Sequence, residues 1–351
     1  MKGGFFGGGS VSAAERGWIE RAVGRGALTP LQVRKILIAR DGHGPEVPLE
    51  VVAVSLGYLK ESDLEALEAP SAPEEIVQIY GSCTVMEHLG RGPCGSVYAA
   101  IHGDSGARVA LKIIASNALN RPFFSRFMES SRRALALTHP AIVRVVDTGV
   151  QDGSLYVASW LVQGTTLLEF VRSNGPLDLD PAASILRQVV EALGEAHAAG
   201  LVHGNLKPEN VFLAGRLEAK ITDFGLGRAD VTFLKEHADQ AGSIVFSLAP
   251  EQWNHEAVPA SDFYACGVLW HFMLTGRFPF EGRSCQEIRK KHEKTPPPAP
   301  SASRAGIPRP ADALAARLLA KDPEDRPASA AGIVEALGSL HRARPARRRS
   351  R

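Results

Sequence analysis

Hydrophobic positions change their spacing along this chain, and the changes divide it into stretches of different predicted structure. Up to about residue 68, apolar residues recur at helical spacing and are interrupted by glycines. From about residue 76 the chain is rich in Val, Tyr and Ile, with turn sequences at Gly103–Gly106 and Gln151–Gly153. This middle stretch predicts antiparallel strands joined by hairpins. Beyond about residue 165 the helical spacing returns.

The last stretch predicts amphipathic helices around one buried helix. The apolar face of one helix consists of Ile185, Val189, Val190, Leu193 and Ala196. The apolar run Phe263–Leu274 falls short of the roughly 20 residues that cross a bilayer, so it predicts a buried central helix and no transmembrane segment. Strands followed by helices predict an α+β fold whose two lobes, one β-rich and one helical, enclose a cleft.

The first 68 residues predict a small module of repeated helices. An offset of 31 residues aligns Ala22–Leu28 with Ala53–Leu59, and each copy places a glycine, Gly26 or Gly57, where a helix C-terminus needs one. Thr29 and the segment Lys60-Glu-Ser62 then begin new helices. Through its Leu-Gly-Tyr-Leu turn the module resembles the N-terminal helical module attached to some bacterial secretion ATPases and kinases. We therefore predict a helical repeat module at 1–68, a proline-containing linker at 69–75, a second domain at 76–340 and an arginine-rich disordered tail at 341–351.

Composition and charge exclude several classes of protein. The chain has 351 residues, 44% of them hydrophobic and 22% charged, which is typical of globular proteins and excludes a fibrous or disordered one. The net charge is +2, but the tail holds six arginines, so the remainder is slightly acidic. We therefore expect no specific nucleic-acid site, although the tail could contact acidic surfaces. The four cysteines lack metal-site spacing and predict reduced thiols in a cytoplasmic protein.

Five motifs carry the candidate chemistry. Gly90-Arg-Gly92-Pro-Cys-Gly95 lies between strand-like segments and is followed by a strand that ends near Lys112. Backbone amides in such a glycine loop can cover phosphates, and a lysine on the neighbouring strand can reach the same oxygens. Three further motifs follow in order: His203-Gly-Asn-Leu-Lys-Pro-Glu-Asn210, Asp223-Phe-Gly225 and Ala249-Pro-Glu251.

In their order and spacing, these motifs resemble those of protein kinases, most closely the bacterial relatives of eukaryotic serine/threonine kinases. Lys207, two residues beyond the position of the catalytic base, favours the serine/threonine branch. The resemblance implies ATP and Mg²⁺ as cofactors and a protein substrate or partner. It assigns the phosphate cover to Gly90, Gly92 and Gly95, the α- and β-phosphate contact to Lys112 and the metal ligands to Asn210 and Asp223. The adenine site would comprise Ser159 as gatekeeper, Trp160 and Val162 through their backbone groups, and Val97, Ala110 and Phe212 around the ring.

Three positions depart from the family pattern. Asn205 stands where active kinases have the aspartate that accepts the substrate proton, and an amide cannot accept that proton at neutral pH. Counting back from His139-Pro140 places the glutamate that pairs with Lys112 at Ser130. Glu129 is next to it but rotated by about 100° on a helix, so we expect no pair with Lys112 in the resting state. Gly204 replaces the arginine that usually grips an activation-loop phosphate, so we expect no activation through that contact.

The structural supports of the family are present. Glu251 and Arg326 match its buried ion pair, and Asp262 matches the residue that braces the catalytic loop. The leading hypothesis is a nucleotide-binding pseudokinase whose ATP-loaded and empty states present different surfaces to a protein partner. The alternative is a slow but active serine/threonine kinase, and a third possibility is a scaffold that no longer binds nucleotide.

Overall fold

The computed structural model describes most of the chain, in two compact units that span 1–76 and 77–351. The described residues are 27–43, 47–60, 78–92, 95–114, 121–224, 242–254 and 257–342, with single positions at 15, 18, 19, 22, 23, 63, 64 and 226. The predicted linker 69–75, the tail beyond 342, and Gly26 and Gly225 lie outside these residues.

The first unit contains two well-defined helices, α1 (Pro30–His43) and α2 (Leu49–Ser55). The predicted start at Thr29 is confirmed, because the Gln32 amide donates to Thr29 Oγ1 and the Thr29 amide donates to Gln32 Oε1. The predicted stop at Gly57 is also confirmed, since Gly57 has a φ of 68° just after α2. The small core of this unit contains Trp18, Ile19, Ala22, Leu28, Val33, Ile36, Leu49, Val52, Ala53 and Leu59.

The second unit begins with a six-stranded antiparallel sheet in the order β1-β2-β3-β4-β6-β5. Its strands are β1 (Ile79–Tyr80), β2 (Cys83–Gly92), β3 (Gly95–His102), β4 (Arg108–Ile114), β5 (Val145–Gln151) and β6 (Ser154–Trp160). The two predicted hairpins are present, and the second turns through Asp152 and Gly153, whose φ angles are 50° and 74°. One helix, α3 (Arg121–Ala136), packs against β5.

Helices make up most of the rest of the second unit. They are α4 (Leu167–Asn174), α5 (Leu179–Ala198), α6 (Pro259–Thr275), α7 (Cys285–Lys294), α8 (Pro300–Ser303), α9 (Arg309–Leu318) and α10 (Ala330–Arg342). A small sheet joins β7 (Thr165–Thr166), β8 (Val211–Ala214) and β9 (Glu218–Ile221). The predicted apolar face of α5 is completely buried, and α6 is buried on all sides from Ser261 to Leu274. The α+β fold with a strand lobe and a helical lobe is therefore confirmed.

The two lobes share one continuous hydrophobic core. That core includes Phe127 and Leu155 from the strand lobe and Val189, Leu193 and Trp270 from the helical lobe. Because this core is continuous, it holds the six-stranded sheet against the helical lobe, above the loop that joins α5 to β8. Side chains from distant parts of the chain therefore meet in one cleft. Within the part of the chain that is described, no helix has both the length and the apolar character needed to span a bilayer.

Candidate nucleotide site

A cavity of about 550 Å³ lies in the cleft between the lobes. Most of the residues assigned to the site from sequence line it: Gly90, Val97, Ala110, Lys112, Ser159, Trp160, Val162, Asn205, Lys207, Asn210, Phe212 and Asp223. Gly95 is not among the described residues of this lining. It pairs with Gly92 as the last residue pair of β2 and β3, and residues 93 and 94 lie outside the described residues.

The glycines of the hairpin differ in why they are needed. Gly95 has a φ of 154°, and a Cβ on it would collide with the carbonyl oxygen of Ile113. At Gly90 a Cβ would meet nothing within 4 Å, so the glycine there leaves open space at the cavity. Gly95 is thus required by the fold of the hairpin, whereas the space around Gly90 does not by itself require glycine.

The roof of the cavity is one face of the sheet. Ala110 on β4 pairs with Ser159 on β6, and Ser159 pairs in turn with Val145 on β5. Directly paired residues of antiparallel strands project to the same face, so the small Ala110 and Ser159 side chains leave a shallow, flat depression there. Phe212 on β8 lines the cavity from the helical lobe. This arrangement suits a flat aromatic ring held between the lobes.

Lys112 and Asp223 form an ion pair at one end of the cavity. The Lys112 Nζ lies 2.7 Å from Asp223 Oδ2, and both side chains are about one-fifth exposed. Burial acts to raise the pKa of Asp223, but the Lys112 ammonium outweighs it and holds that pKa below its ordinary value. Asp223 has a φ of 68°, a conformation that is uncommon for a residue with a side chain.

The loop that carries Asn205 is braced from below by Asp262. The Asp262 carboxylate accepts hydrogen bonds from the backbone amides of His203 at 2.9 Å and Gly204 at 2.8 Å, and it lies 2.8 Å from His197 Nε2. These contacts confirm the bracing role predicted for Asp262. Gly204 has a φ of 69°, which glycine adopts without strain.

His203 links this loop to the segment that carries Asp223. Its Nε2 donates to the Thr222 backbone carbonyl at 2.9 Å, and its Nδ1 accepts from the Asn205 backbone amide at 3.3 Å. Its ring packs edge-on against Phe224. Burial lowers the pKa of His203, so the imidazole is neutral in the folded protein, as this pattern of one donor and one acceptor requires.

Asn205 and Asn210 face the cavity in different ways. Asn210 Nδ2 donates to the Asn205 carbonyl at 2.9 Å, which leaves the Asn210 Oδ1 as the end that can bind a cation. Asn205 Oδ1, in contrast, is buried and has no hydrogen-bond partner among the described residues. The Asn210 side chain is therefore oriented by its hydrogen bond to the Asn205 backbone. The Asn205 side-chain oxygen is buried and is held by no hydrogen bond from the described residues.

Among its described side chains, helix α3 does not supply a partner to Lys112. Glu129 pairs with Arg133 at 2.7 Å, one turn along the helix, and Arg133 also donates to the Gly200 carbonyl. Glu129 is exposed, Ser130 is half-buried, and the buried face of α3 contains Phe127, Ser131 and Ala134. The prediction that Glu129 does not pair with Lys112 is confirmed, and the helical phase explains it.

The ion pair predicted between Glu251 and Arg326 is present and buried. Two guanidinium nitrogens of Arg326 bind the two carboxylate oxygens of Glu251 at 2.7 and 2.8 Å. Arg326 also donates to the carbonyls of Ala260, Ala320 and Lys321, and it is 3% exposed. Burial acts to raise the pKa of Glu251, but Arg326 and Ser261 lower it by more, so the carboxylate stays ionised. Residues 227–241 of the activation segment lie outside the described residues, so the expectation drawn from Gly204 stays a prediction.

The cavity also contains residues that the sequence analysis did not assign. Arg91 lines it from the glycine hairpin, and Glu169 and Glu209 line it from the helical lobe. Ile244, from the turn Gly242–Phe246, lines the same cavity and a second, smaller one that it shares with Asn205. Arg91 and Glu209 lie within the sequence motifs, so their position at the cavity could have been predicted from the motif spacing. Ile244 follows a long segment of irregular spacing, and no local pattern marks it.

A strand lobe and a helical lobe that enclose a glycine hairpin, a lysine–aspartate pair and an asparagine-bearing loop form the nucleotide cleft of protein kinases. The protein kinase domain model matches residues 83–337, and the chain belongs to this family. The curated relatives it matches are bacterial serine/threonine-protein kinases. PknH from Mycobacterium bovis is 35% identical over 261 residues, which cover 73% of this chain and 43% of PknH. The chain spans less than half the length of the curated relatives described.

Solved structures give the same result. A mutant form of the kinase domain of PknI from Mycobacterium tuberculosis, with one cysteine replaced by alanine, superposes with a TM-score of 0.62 and 27% identity, covering 76% of this chain and 98% of that domain. Residues 1–466 of Rad53 in complex with AMP-PNP superpose with a TM-score of 0.60 and 26% identity, covering 73% of this chain and 64% of that one.

Proposed function

We propose that this chain binds ATP in the cleft and has lost most of the phosphotransfer activity of its family. The observation that carries the binding is the convergence of Lys112, Asn210 and Asp223 at one end of a cavity whose roof suits a flat ring. The similarity to a structure that holds AMP-PNP supports the same ligand class. Lys112 provides the cation for the phosphates, and Gly90 lines the cavity from the glycine hairpin.

The donor set also fits a magnesium ion. Asn210 Oδ1 and the Asp223 carboxylate are oxygen ligands, which Mg²⁺ prefers, and Mg²⁺ usually binds through one or two such side chains together with substrate phosphates. A bound Mg²⁺ would neutralise phosphate charge. Asn210 is fixed for this role by its bond to the Asn205 carbonyl, and Asp223 by its pair with Lys112.

Two departures support a pseudokinase. Asn205 at the base position removes general-base catalysis, which is typically worth about 10² to 10⁴ in rate. Ser130 leaves Lys112 without a carboxylate partner among the described side chains of α3, so the lysine is held by Asp223. Phosphoryl transfer depends mainly on positioning and on charge stabilisation, so some turnover can remain.

The biological role that we propose is a nucleotide-dependent signalling scaffold in the cytoplasm. The bound nucleotide would set which surface of the cleft region a protein partner meets, and the helical unit at 1–76 would supply docking. The three described cysteines, Cys83, Cys266 and Cys285, are free thiols, which supports a reducing compartment. We propose no specific nucleic-acid partner, because the chain without its tail is slightly acidic.

A slow but active serine/threonine kinase is the second candidate. The intact supports favour it: Asp262 holds the loop, and Lys207 lines the cavity. The two candidates predict the same nucleotide binding and differ only in turnover. An autophosphorylation assay with labelled ATP therefore distinguishes them.

Replacing Asp223 by asparagine tests the nucleotide site directly. Because the Asp223 carboxylate faces both the metal and Lys112, Asp223→Asn should weaken ATP binding in the presence of Mg²⁺ by about tenfold or more, or about 1.4 kcal/mol. Calorimetric titration with and without Mg²⁺ measures this effect. Asp152→Asn is the matched control, since it removes the same charge in an exposed hairpin turn where asparagine tolerates a positive φ.

The proposal fails if affinity is the same with and without Mg²⁺ in the wild type and in Asp223→Asn alike. Phosphotransfer is then measured on the same samples. Turnover at the rate of an ordinary kinase, which is about 1–100 per second, would contradict the proposed loss of activity, and reproducible turnover well below that rate would favour the second candidate.

A further inference from the structure

The charged side chains that line the cavity are balanced. Three are basic, Arg91, Lys112 and Lys207, and three are acidic, Glu169, Glu209 and Asp223. A carboxylate at position 205 would add a fourth acidic group on the loop that also carries Lys207 and Asn210. Because position 205 is asparagine, its side chain adds no negative charge to the cavity. Lys112 and Asp223 form one end of this cavity.

In the structure the side-chain amide of Asn205 turns its oxygen toward the protein interior. Its Oδ1 is buried and accepts no hydrogen bond from the described residues, so the end of the side chain that remains for a ligand is Nδ2. Asn205 also lines the second, smaller cavity together with Ser247, whose Oγ is likewise buried and has no partner among the described residues. The carbonyl end of the amide is thus inside the protein, and the donor end is left for the cleft.

We propose that Asn205 recognises the terminal phosphate of the nucleotide and makes the cleft selective for ATP over ADP. The inference rests on the proposed nucleotide binding and adds a role for a residue that otherwise counts only as a loss. Nδ2 donates a hydrogen bond to a γ-phosphate oxygen, and hydrogen bonds to ionised acceptors are roughly twice as strong as neutral ones. ADP has no phosphate at that position.

The exchange of aspartate for asparagine acts on ATP in two ways. It supplies a donor, and it removes a negative charge that would repel the γ-phosphate across a short distance in a partly buried cleft. Both effects apply to the terminal phosphate and hardly to the adenine and ribose. A site built in this way senses the ratio of ATP to ADP, because weak turnover leaves the bound triphosphate intact.

The test compares dissociation constants for AMP-PNP, ATP and ADP by calorimetry at fixed Mg²⁺ and salt. The wild type should bind AMP-PNP and ATP about tenfold more tightly than ADP. Asn205→Asp should lose most of this preference through weaker triphosphate binding, with the ADP constant unchanged within about twofold. Asn205→Ala removes the donor without adding a charge and should lie between the two. The control is Asn254→Asp, which makes the same charge change at an exposed residue whose Oδ1 accepts from Arg289, a bond that a carboxylate also makes.

Each result supports or overturns the inference. An unchanged ratio of ATP to ADP affinity in Asn205→Asp and Asn205→Ala overturns it and leaves nucleotide binding in place. A wild type that binds neither nucleotide overturns the proposed function as well. An equal loss of ATP and ADP binding in both variants assigns Asn205 a structural role and also overturns the inference.

Discussion

At the scale of single residues, the shape of the Asn205 loop does not depend on the side chain at position 205. The contacts that shape this loop are made by its backbone: the Asn205 amide donates to His203 Nδ1, and the Asn205 carbonyl accepts from Asn210. Neither bond depends on whether position 205 is aspartate or asparagine. The backbone contacts of the loop are therefore compatible with either residue.

The buried pair Glu251–Arg326 belongs to the opposite class of residue, on which folding itself depends. Arg326→Met would leave the Glu251 carboxylate buried and without its cation, at a cost of about 3–5 kcal/mol in the free energy of unfolding. Lys291→Met is the control, because Lys291 pairs with Glu287 at 2.8 Å on the exposed side of α7 and such pairs contribute less than about 1 kcal/mol. Urea denaturation measures both, and equal losses would contradict the argument.

Sequence alone predicted the site residues unevenly, and the reason is physical. Residues within short motifs, such as Lys112, Asn210 and Asp223, have their relative positions set by one strand or one turn, so the motif already specifies the geometry. Ile244 lies far from the Asn205 loop in the sequence, yet it lines the same two cavities as Asn205. That contact depends on the tertiary fold and leaves no periodic trace in the sequence.

At the scale of elements, hydrophobic patterning predicted the long helices and both hairpins. The buried faces of α5 and α6 follow directly from their apolar positions, and Asp152-Gly153 provides the positive φ angles that the second hairpin needs. The short strands β1 and β7 have two residues each and exist because a neighbouring strand pairs with them. Such elements have no pattern of their own to predict.

The packing of α7 against α6 predicts a measurable dependence of stability on pH. His292 on α7 is fully buried beside Phe280, and its Nδ1 lies 2.8 Å from the Tyr264 hydroxyl on α6. Burial, with a contribution from Lys321, lowers the pKa of His292 to about 3. Between about pH 6.5 and 3 the unfolded chain therefore binds a proton that the folded chain does not, so the free energy of unfolding falls as the pH falls.

His292→Phe should remove that contribution. Its free energy of unfolding should fall less steeply than that of the wild type between pH 6 and 5, by about 1.4 kcal/mol per pH unit. Tyr264→Phe is the control, because it keeps the buried imidazole and should retain the wild-type slope. Parallel curves for the wild type and His292→Phe would show that His292 is protonated in the folded protein and would contradict the argument.

At the scale of the whole molecule, the site exists only because the two lobes are fixed against each other. Lys112 lies on a strand of the first lobe and Asp223 follows the small sheet of the second, and their 2.7 Å pair bridges the cleft. The continuous core that contains Phe127, Leu155 and Trp270 keeps this approach in place. Two of the positions that depart from the family pattern are also divided between the lobes, with Ser130 on one side and Asn205 on the other.

This division predicts how activity returns. Asn205→Asp alone should recover some phosphoryl transfer at saturating ATP, because it restores the proton acceptor. Asn205→Asp combined with Ser130→Glu should recover more, because a carboxylate on the half-buried position of α3 would hold Lys112 and leave Asp223 to the metal. Because both changes act on one site, their effects need not add.

Labelled transfer to a generic protein substrate and to the chain itself is measured for the wild type, both single variants and the double variant. A wild type as active as the double variant would contradict the pseudokinase proposal, whereas four silent proteins that still bind ATP would place the defect in the activation segment, next to Gly204 and Ile244.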